Sequence, residues 1–405
     1  VSSYPTTGTT WLDLSGENRN GTLTNGVTFN SNGYMDFDGN NDYVAISTYT
    51  FGNGNWTVNA LVAADTVQEH NLVSNTSGGP VTNAFGFDNS KIHYRNYDGA
   101  WQNHDGNTTL TTGQWYMLTW VNYAGASAAE GTMKMYVNGI ADSSVFNSYT
   151  VNGGPCDAIG RNWGSTEYDG LIANIQFYTE SLTDEEISQN YYQGPIITDE
   201  LQQFYDFNNL MCYEGDDGLA TGNITNMAVG QESAAISNTN NGISFNRTQG
   251  YMEWDGTTTA NINIPNTGQM PLFTLSAWVY NLQGGNSRHS ILTNYWEIVG
   301  TSLQFWSYDF DNTYWRSSPN GSVPYNEWTH ITTTWDGSKI RHYIDGELVY
   351  TQPSSSGGTS QSLSKIAGYS GRNFYGRIGI LSIYEKCLNA SEISQNFLAH
   401  NSRFK

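Results

Sequence analysis

"YDGLIANIQFYTESLTDEEISQN" occupies residues 168–190, and "FYGRIGILSIYEKCLNASEISQN" occupies residues 374–396. The two stretches align without a gap at an offset of 206 (374 − 168) and share the letters EISQN. Each begins as an alternating apolar run. In "GLIANIQFY" the alternation sets Leu171, Ala173, Ile175 and Phe177 on one face and Asn174 and Gln176 on the other, the period of a half-buried strand. The character then changes. Thr183 stands three residues before Glu186, and Asn389 three before Glu392, spacings that suit a capping box at a helix start. Ile187 with Tyr191, and Ile393 with Phe397, fall at i and i+4 on one helical face, and Gly194-Pro195 would stop the first helix. A strand followed by a short capped helix is therefore expected at both places, with the glutamates as caps and not catalysts.

Other blocks recur in the same order. "NGVTFNSNGYMDFDG" (25–39) matches "NGISFNRTQGYMEWDG" (241–256), and "WTVNALV" (56–62) matches "FTLSAWV" (273–279). "QWYMLTW" (114–120) pairs with "EWTHITT" (327–333), and "MKMYVNG" (133–139) with "IRHYIDG" (340–346). Only loop lengths drift, so the chain reads as two copies of one domain, 1–196 and 197–405. A period of about 200 residues is far too long for a solenoid. Asn138-Gly139 and Asp345-Gly346 suit turns with two positive φ values, so each copy is expected to carry a tight hairpin there. With 14% aromatic residues and turn formers crowding every gap, the expected class is all-β, each copy ending in its short helix.

Charge narrows the partners. Sixteen basic residues against 37 acidic ones give a net charge near −21, which opposes the counterion-release binding of a phosphate backbone. Nucleic acid and anionic membranes are poor candidates. No apolar run reaches the length of a membrane-spanning helix, so no insertion is expected. Three cysteines without a CxxC pair indicate neither a disulfide framework nor a zinc site, although Cys212 and Cys387 both follow expected strands of the second copy.

Together these blocks resemble the laminin G-like branch of the concanavalin A-like lectin/glucanase superfamily. "TTWLDLSGENRNGTLTNGVTF", "YMDFDGNNDYV", "MYVNG" and "YDGLIANIQFYTESLTDEEI" carry the pattern in the first copy. "WDG", "YIDG" and "GRIGILSIYEKCLNASEI" carry it in the second. The resemblance implies two tandem jelly-roll β-sandwiches, each of two antiparallel sheets packed about 10 Å apart. It further implies an extracellular protein, on a virion surface or a bacterial cell surface, that binds glycan or other protein subunits within a larger homo- or hetero-oligomeric assembly. "LQQFYDFNNL" (201–210) resembles the first strand of the family, whereas the first copy begins inside the "SSYPTTGTTW" loop that normally follows that strand. A jelly roll without that strand would leave backbone groups unpaired. The expectation is that residue 1 is not the natural start, or that a partner supplies the strand.

Catalysis finds little support. The glucanases of the superfamily set acids as E-x-D-x-E or E-x-D-x-x-E on one strand, and retaining hydrolysis needs two carboxyl groups about 5 Å apart. Glu253 and Asp255 in "MEWDG" lack a third acid, and Asp36 and Asp38 in "MDFDG" read as a strand end and turn. The expected protein is not an enzyme. The resemblance also makes Ca²⁺ a candidate ligand at a sheet rim, with Asp38, Asn40, Asn41 and Asp42 of "FDGNNDYV" as its oxygen donors; a polar hairpin turn is the alternative. Two aromatic groups surround Tyr-Asp turns. Tyr94, Tyr97 and Trp101 form one, and Trp306, Tyr308, Tyr314 and Trp315 the other. They are too many for one face of one hairpin, so some rings are expected outside, for glycan contact, for protein contact or in cross-strand pairs.

Overall fold

A computed structural model of the chain describes residues 3–5, 7–30, 33–52, 54–76, 83–97, 100–125, 131–142, 146–149, 155–161, 167–194, 196–228, 232–238, 241–256, 260–282, 288–293, 295–306, 315–352, 362–367 and 371–405. It divides into two compact units, Val1–Tyr191 and Tyr192–Lys405. The division falls slightly before the expected 196/197 boundary because Tyr192 already packs on Phe204, with ring centroids 5.2 Å apart.

Unit 1 is a sandwich of two antiparallel sheets. The sheet beside the helix runs, in spatial order, Ile140–Ala141, Gly131–Val137, Trp115–Ala124, Trp56–Ala64, Asp169–Tyr178, Tyr34–Asp38 and Thr28–Asn30. The far sheet runs Thr10–Trp11, Gly21–Thr24, Tyr43–Thr50, Pro155–Ile159, His70–Ser74, Asn83–Asp88, Lys91–Tyr97 and Trp101–Asp105. Alternate residues of both sheets meet between them. Val58, Ala60, Val62, Leu118 and Trp120 from one sheet face Phe85, Phe87, Ile92 and Tyr94 from the other. Unit 2 repeats the plan, with Tyr375–Tyr384 between Tyr251–Asp255 and Phe273–Asn281 in its helix-side sheet.

The expected helices are α1, Asp184–Tyr192, and α2, Ala390–Phe404. Both capping boxes form. Thr183 Oγ1 accepts from the Glu186 amide at 3.2 Å while the Glu186 carboxylate accepts from the Thr183 amide at 2.8 Å. Asn389 and Glu392 do the same for α2. Both hairpins carry paired positive φ values, 54° and 81° at Asn138-Gly139 and 48° and 83° at Asp345-Gly346. Each glycine lies under a helix aromatic: a β-carbon at Gly139 would stand 3.1 Å from Tyr191, and one at Gly346 3.3 Å from Phe397. In each copy the hairpin turn thus packs against the closing helix.

One expectation fails in detail. The Asp169–Tyr178 strand is bulged between Ile172 and Asn174, which shifts its phase. Ile172, not Leu171, enters the core, and Ile175 and Phe177 resume the inward set after the extra residue. A bulge does this by letting two residues oppose one. Cys156, Cys212 and Cys387 are free thiols, so Cys212 and Cys387 are not joined.

The two copies differ at one strand edge. In unit 2, Leu201–Asp206 pairs with residues 380–384 of the last strand. In unit 1, no strand among the described residues pairs with the corresponding edge, residues 174–178. Ile175, Gln176, Phe177 and Tyr178 are accordingly only half-buried. No helix among the described residues is long and apolar enough to cross a membrane.

Candidate functional site: the outer face of the far sheet in unit 1

Residues 83–105 fold as three successive strands at one edge of the far sheet, and strict alternation sorts their side chains. Phe85, Phe87, Ile92 and Tyr94 turn inward and are buried. Tyr94 is therefore a core residue, contrary to its expected place on a binding surface. Its hydroxyl donates to Asn83 Oδ1, and its ring packs 5.2 Å from Phe85. The other parity turns outward: His93, Arg95 and Tyr97 on one strand, and Asp105, Asn103 and Trp101 directly opposite them on the next.

Five of these side chains form one surface, and His93 is buried at its corner. Trp101 is 41% exposed and meets Tyr97 edge to face with centroids 5.2 Å apart. The Arg95 guanidinium lies 4.5 Å from the Trp101 ring centre and donates to Glu69 Oε1 at 2.7 Å. A cation so placed is attracted by the ring quadrupole and holds the indole upright. At the far end of the strands, His93 Nδ1 stands 2.7 Å from Asp105 Oδ1. His93, Asp105 and Asp88 each present a ligand atom within 4.8 Å of the others. A flat exposed ring rimmed by amide, guanidinium and carboxylates can stack on an apolar surface while hydrogen-bonding what surrounds it.

Unit 2 builds the region differently. Trp306 is half-buried and packs on Tyr295 with centroids 5.5 Å apart. Its backbone pairs with Trp315, whose side chain lies outside the described residues, as do Tyr308 and Tyr314 altogether.

The acid-rich turn at Asp38–Asp42 closes on itself. Asp42, only 1% exposed, accepts from the Gly26 amide at 2.6 Å and the Asp38 amide at 3.3 Å, one carboxylate oxygen each. Asp38 Oδ1 accepts from the Asn40 amide at 3.0 Å, and Asn40 and Asn41 stand exposed. A calcium ion wants six to eight oxygens, and here the buried carboxylate already serves backbone amides. Behind the turn, burial first and then the carboxylates of Asp65, Asp42, Asp169 and Asp38 push the Asp36 carboxyl above the ordinary aspartate range. In unit 2 the corresponding acid, Glu253, is instead met by Arg377 Nε at 2.5 Å. The Glu253 carboxylate is thereby engaged in an ion pair across neighbouring strands.

Sequence reasoning passed over Arg95, His93, Asp88 and Asp105. The signal was the spacing of Tyr97 and Trp101, whose pairing puts 93, 95 and 97 opposite 105, 103 and 101.

The sequence matches the profile of the Concanavalin A-like lectin/glucanases superfamily, in its laminin G form, over residues 38–188 and 246–394. No curated protein matches the chain. Among solved structures, domain 4 of a GH43 extracellular arabinanase from Geobacillus stearothermophilus, in complex with arabinotriose, is 19% identical; it covers 48% of this chain and 97% of that one at a TM-score of 0.32. A botulinum neurotoxin type C structure is 9% identical, covering 94% and 96% at 0.39. Domains LG4-5 of the mouse laminin alpha1 chain are 11% identical, covering 88% and 92% at 0.27. Likenesses this remote bear on neither ligand nor activity. Two profile matches in the expected order, each within one of the two sandwiches, place the chain in the Concanavalin A-like lectin/glucanases superfamily as a tandem of laminin G-like copies.

Proposed function

We propose that the chain is a noncatalytic structural and binding protein on a particle exterior, a bacteriophage virion component of tail, fibre or capsid surface that makes glycan or protein contacts. The observation that carries the binding part is the exposed Trp101 ring, braced by Tyr97 and Arg95 on a polar outer face. The Glu253–Arg377 pair supports the noncatalytic part. Calcium at the Asp38–Asp42 turn would compete with backbone amides for Asp42, so the proposed contact uses none. A glycan array probed with the full chain tests the reading. A bound glycan should lose about 2 kcal/mol, roughly thirtyfold in Kd, on Trp101→Ala, as central aromatic anchors do. A bacterial adhesin would show the same result on host-surface polysaccharide; binding indifferent to Trp101, or release of sugar from any glycan, would end the reading.

The edge at residues 174–178, which no strand among the described residues pairs, favours the assembly part of this reading. A bare edge with half-buried apolar neighbours is a template for strand addition. A strand patterned like Leu201–Asp206, from upstream of residue 1 or from another polypeptide, would complete unit 1 as that strand completes unit 2. A synthetic peptide of residues 198–209 should bind the full chain and slow amide exchange at 174–178. Exchange unchanged by peptide at any concentration would remove the support.

A further inference from the structure

We infer that Asp88, His93 and Asp105 form a binding site for a divalent transition-metal ion, on the same outer face as Trp101 but independent of any glycan contact.

The three residues sit on three neighbouring strands, and the ladder explains why they converge. Gly86 pairs with His93, Asp88 with Lys91, and His93 with Asp105, so Asp88, His93 and Asp105 share one parity at one corner of the sheet, with Lys91 directly opposite Asp88. Opposite His93, Gly86 is closely approached by the neighbouring strand: a β-carbon there would stand 1.9 Å from the His70 carbonyl oxygen. His93 is well fixed. It is 3% exposed, and from the core side the Trp120 indole donates to its backbone carbonyl at 3.0 Å.

The donor set suits a particular class of ion. Ligand atoms at about 2.0–2.2 Å from a common metal lie roughly 3–4 Å from one another. The observed separations of 4.8 Å or less therefore need only small side-chain movements to close on one ion. One imidazole and two carboxylates balance a dication. Imidazole nitrogen favours zinc, copper, iron or nickel, whereas calcium, magnesium and manganese prefer oxygen. Asp105 is exposed and Asp88 half-buried, so coordination positions on the solvent side stay open to water or to an oxygen of a bound molecule.

A His93–Asp105 hydrogen bond that merely staples two strands is the simpler account. It leaves Asp88 without a part. It also meets a comparison inside the chain. In unit 2 the same ladder pairs Glu297 with Gln304 and Gln304 with Ser317, and Val299 with Ser302. Val299, Gln304 and Ser317 thus stand where Asp88, His93 and Asp105 stand in unit 1. The sheet edge closes there without any of the three ligands, so the fold itself does not require them.

Those unit 2 residues supply the test. The full chain, stripped with chelator and exchanged into metal-free buffer, is titrated calorimetrically with ZnCl₂ or NiCl₂, with CaCl₂ as the contrast. One equivalent of a transition metal should bind in preference to calcium. His93→Gln and Asp105→Ser should each weaken it at least about tenfold, as removal of a metal's supporting residues does, while circular dichroism shows both variants folded. Asp88→Val should do the same, and this arm separates the metal site from the staple, which needs no Asp88. Absence of binding to the full chain, equal affinity in all variants, or loss with His93 and Asp105 but not with Asp88 would each overturn the assignment.

Discussion

Trp120→Ala is expected to destabilise unit 1 by about 3–5 kcal/mol, the range for emptying a large aromatic site in a packed core. Trp120 is fully buried at the centre of Trp115–Ala124, paired to Val58 on one side and Met135 on the other. Its ring meets Phe85 edge to face at 5.7 Å, which joins the two sheets across the core. Two losses add together. The cavity opens between two hydrogen-bonded sheets that cannot collapse into it, and the buried His93 carbonyl loses its indole donor. Trp101→Ala in the same unit removes an exposed ring and should shift stability by less than about 1 kcal/mol. The contrast is measurable by urea denaturation of the full chain. Trp120→Ala should move the transition of unit 1 and leave that of unit 2 in place. A Trp120→Ala midpoint equal to wild type, or equal shifts for both tryptophans, would mean that the core has been wrongly located.

How far the sequence led can be judged from a few residues. Capping boxes and Asn-Gly or Asp-Gly turns depend on residues no more than three positions apart, and Thr183, Asn389, Asn138 and Asp345 all do what those short spacings predict. The repeat itself was legible because order and blocks survive between copies. Parity was not always so. A bulge near Ala173 exchanged Leu171 for Ile172 in the core, and periodicity has no means of announcing an extra residue. Tyr94 belongs to an aromatic group too large for one face of one hairpin, yet it shares the parity of Ile92 and is one of the rings that lie in the core. The corner of Asp88, His93 and Asp105 was invisible for another reason. Its members are 5 and 12 residues apart (93 − 88 and 105 − 93) and meet only through strand register, which a linear scan for metal-binding spacings does not contain.

Acid is expected to unfold unit 2 before unit 1. His330 and His342 are both buried neutral in unit 2. Burial, together with the nearby His400, takes the His330 imidazole down to about 3. Burial takes His342 down to about 4, against the raising effect of its bond to the Arg316 carbonyl. The hydrogen bonds show why neither accepts a proton easily. His342 Nε2 donates to the Arg316 carbonyl at 2.8 Å, which leaves Nδ1 to accept from Thr333 Oγ1 at 2.8 Å; that hydroxyl in turn accepts from the Trp296 indole at 2.7 Å. A proton on Nδ1 would face a hydroxyl already receiving one. His330 lies under α2, among Ser276, Trp278, Phe397 and His400, and Ser276 Oγ is its hydrogen-bond partner at 2.8 Å. In the unfolded chain both histidines titrate near their ordinary 6.5. Between that value and about 3–4 the unfolded state therefore holds more protons, and stability falls as pH falls; above about 6.5 neither group contributes. Each unit of separation is about 1.4 kcal/mol, so the effect reaches several kcal/mol by order of magnitude. The leading shifts in unit 1 have the opposite sign. Asp36 and Asp169, raised by burial and by neighbouring carboxylates, are relieved when acid neutralises them, though their partial exposure keeps the gain small. Brief pepsin digestion of the full chain at about pH 4 should thus cut first within residues 192–405, and His342→Gln should carry the onset to lower pH. Cleavage beginning in unit 1, or an onset that His342→Gln leaves unmoved, would show that these imidazoles do not govern the acid limit.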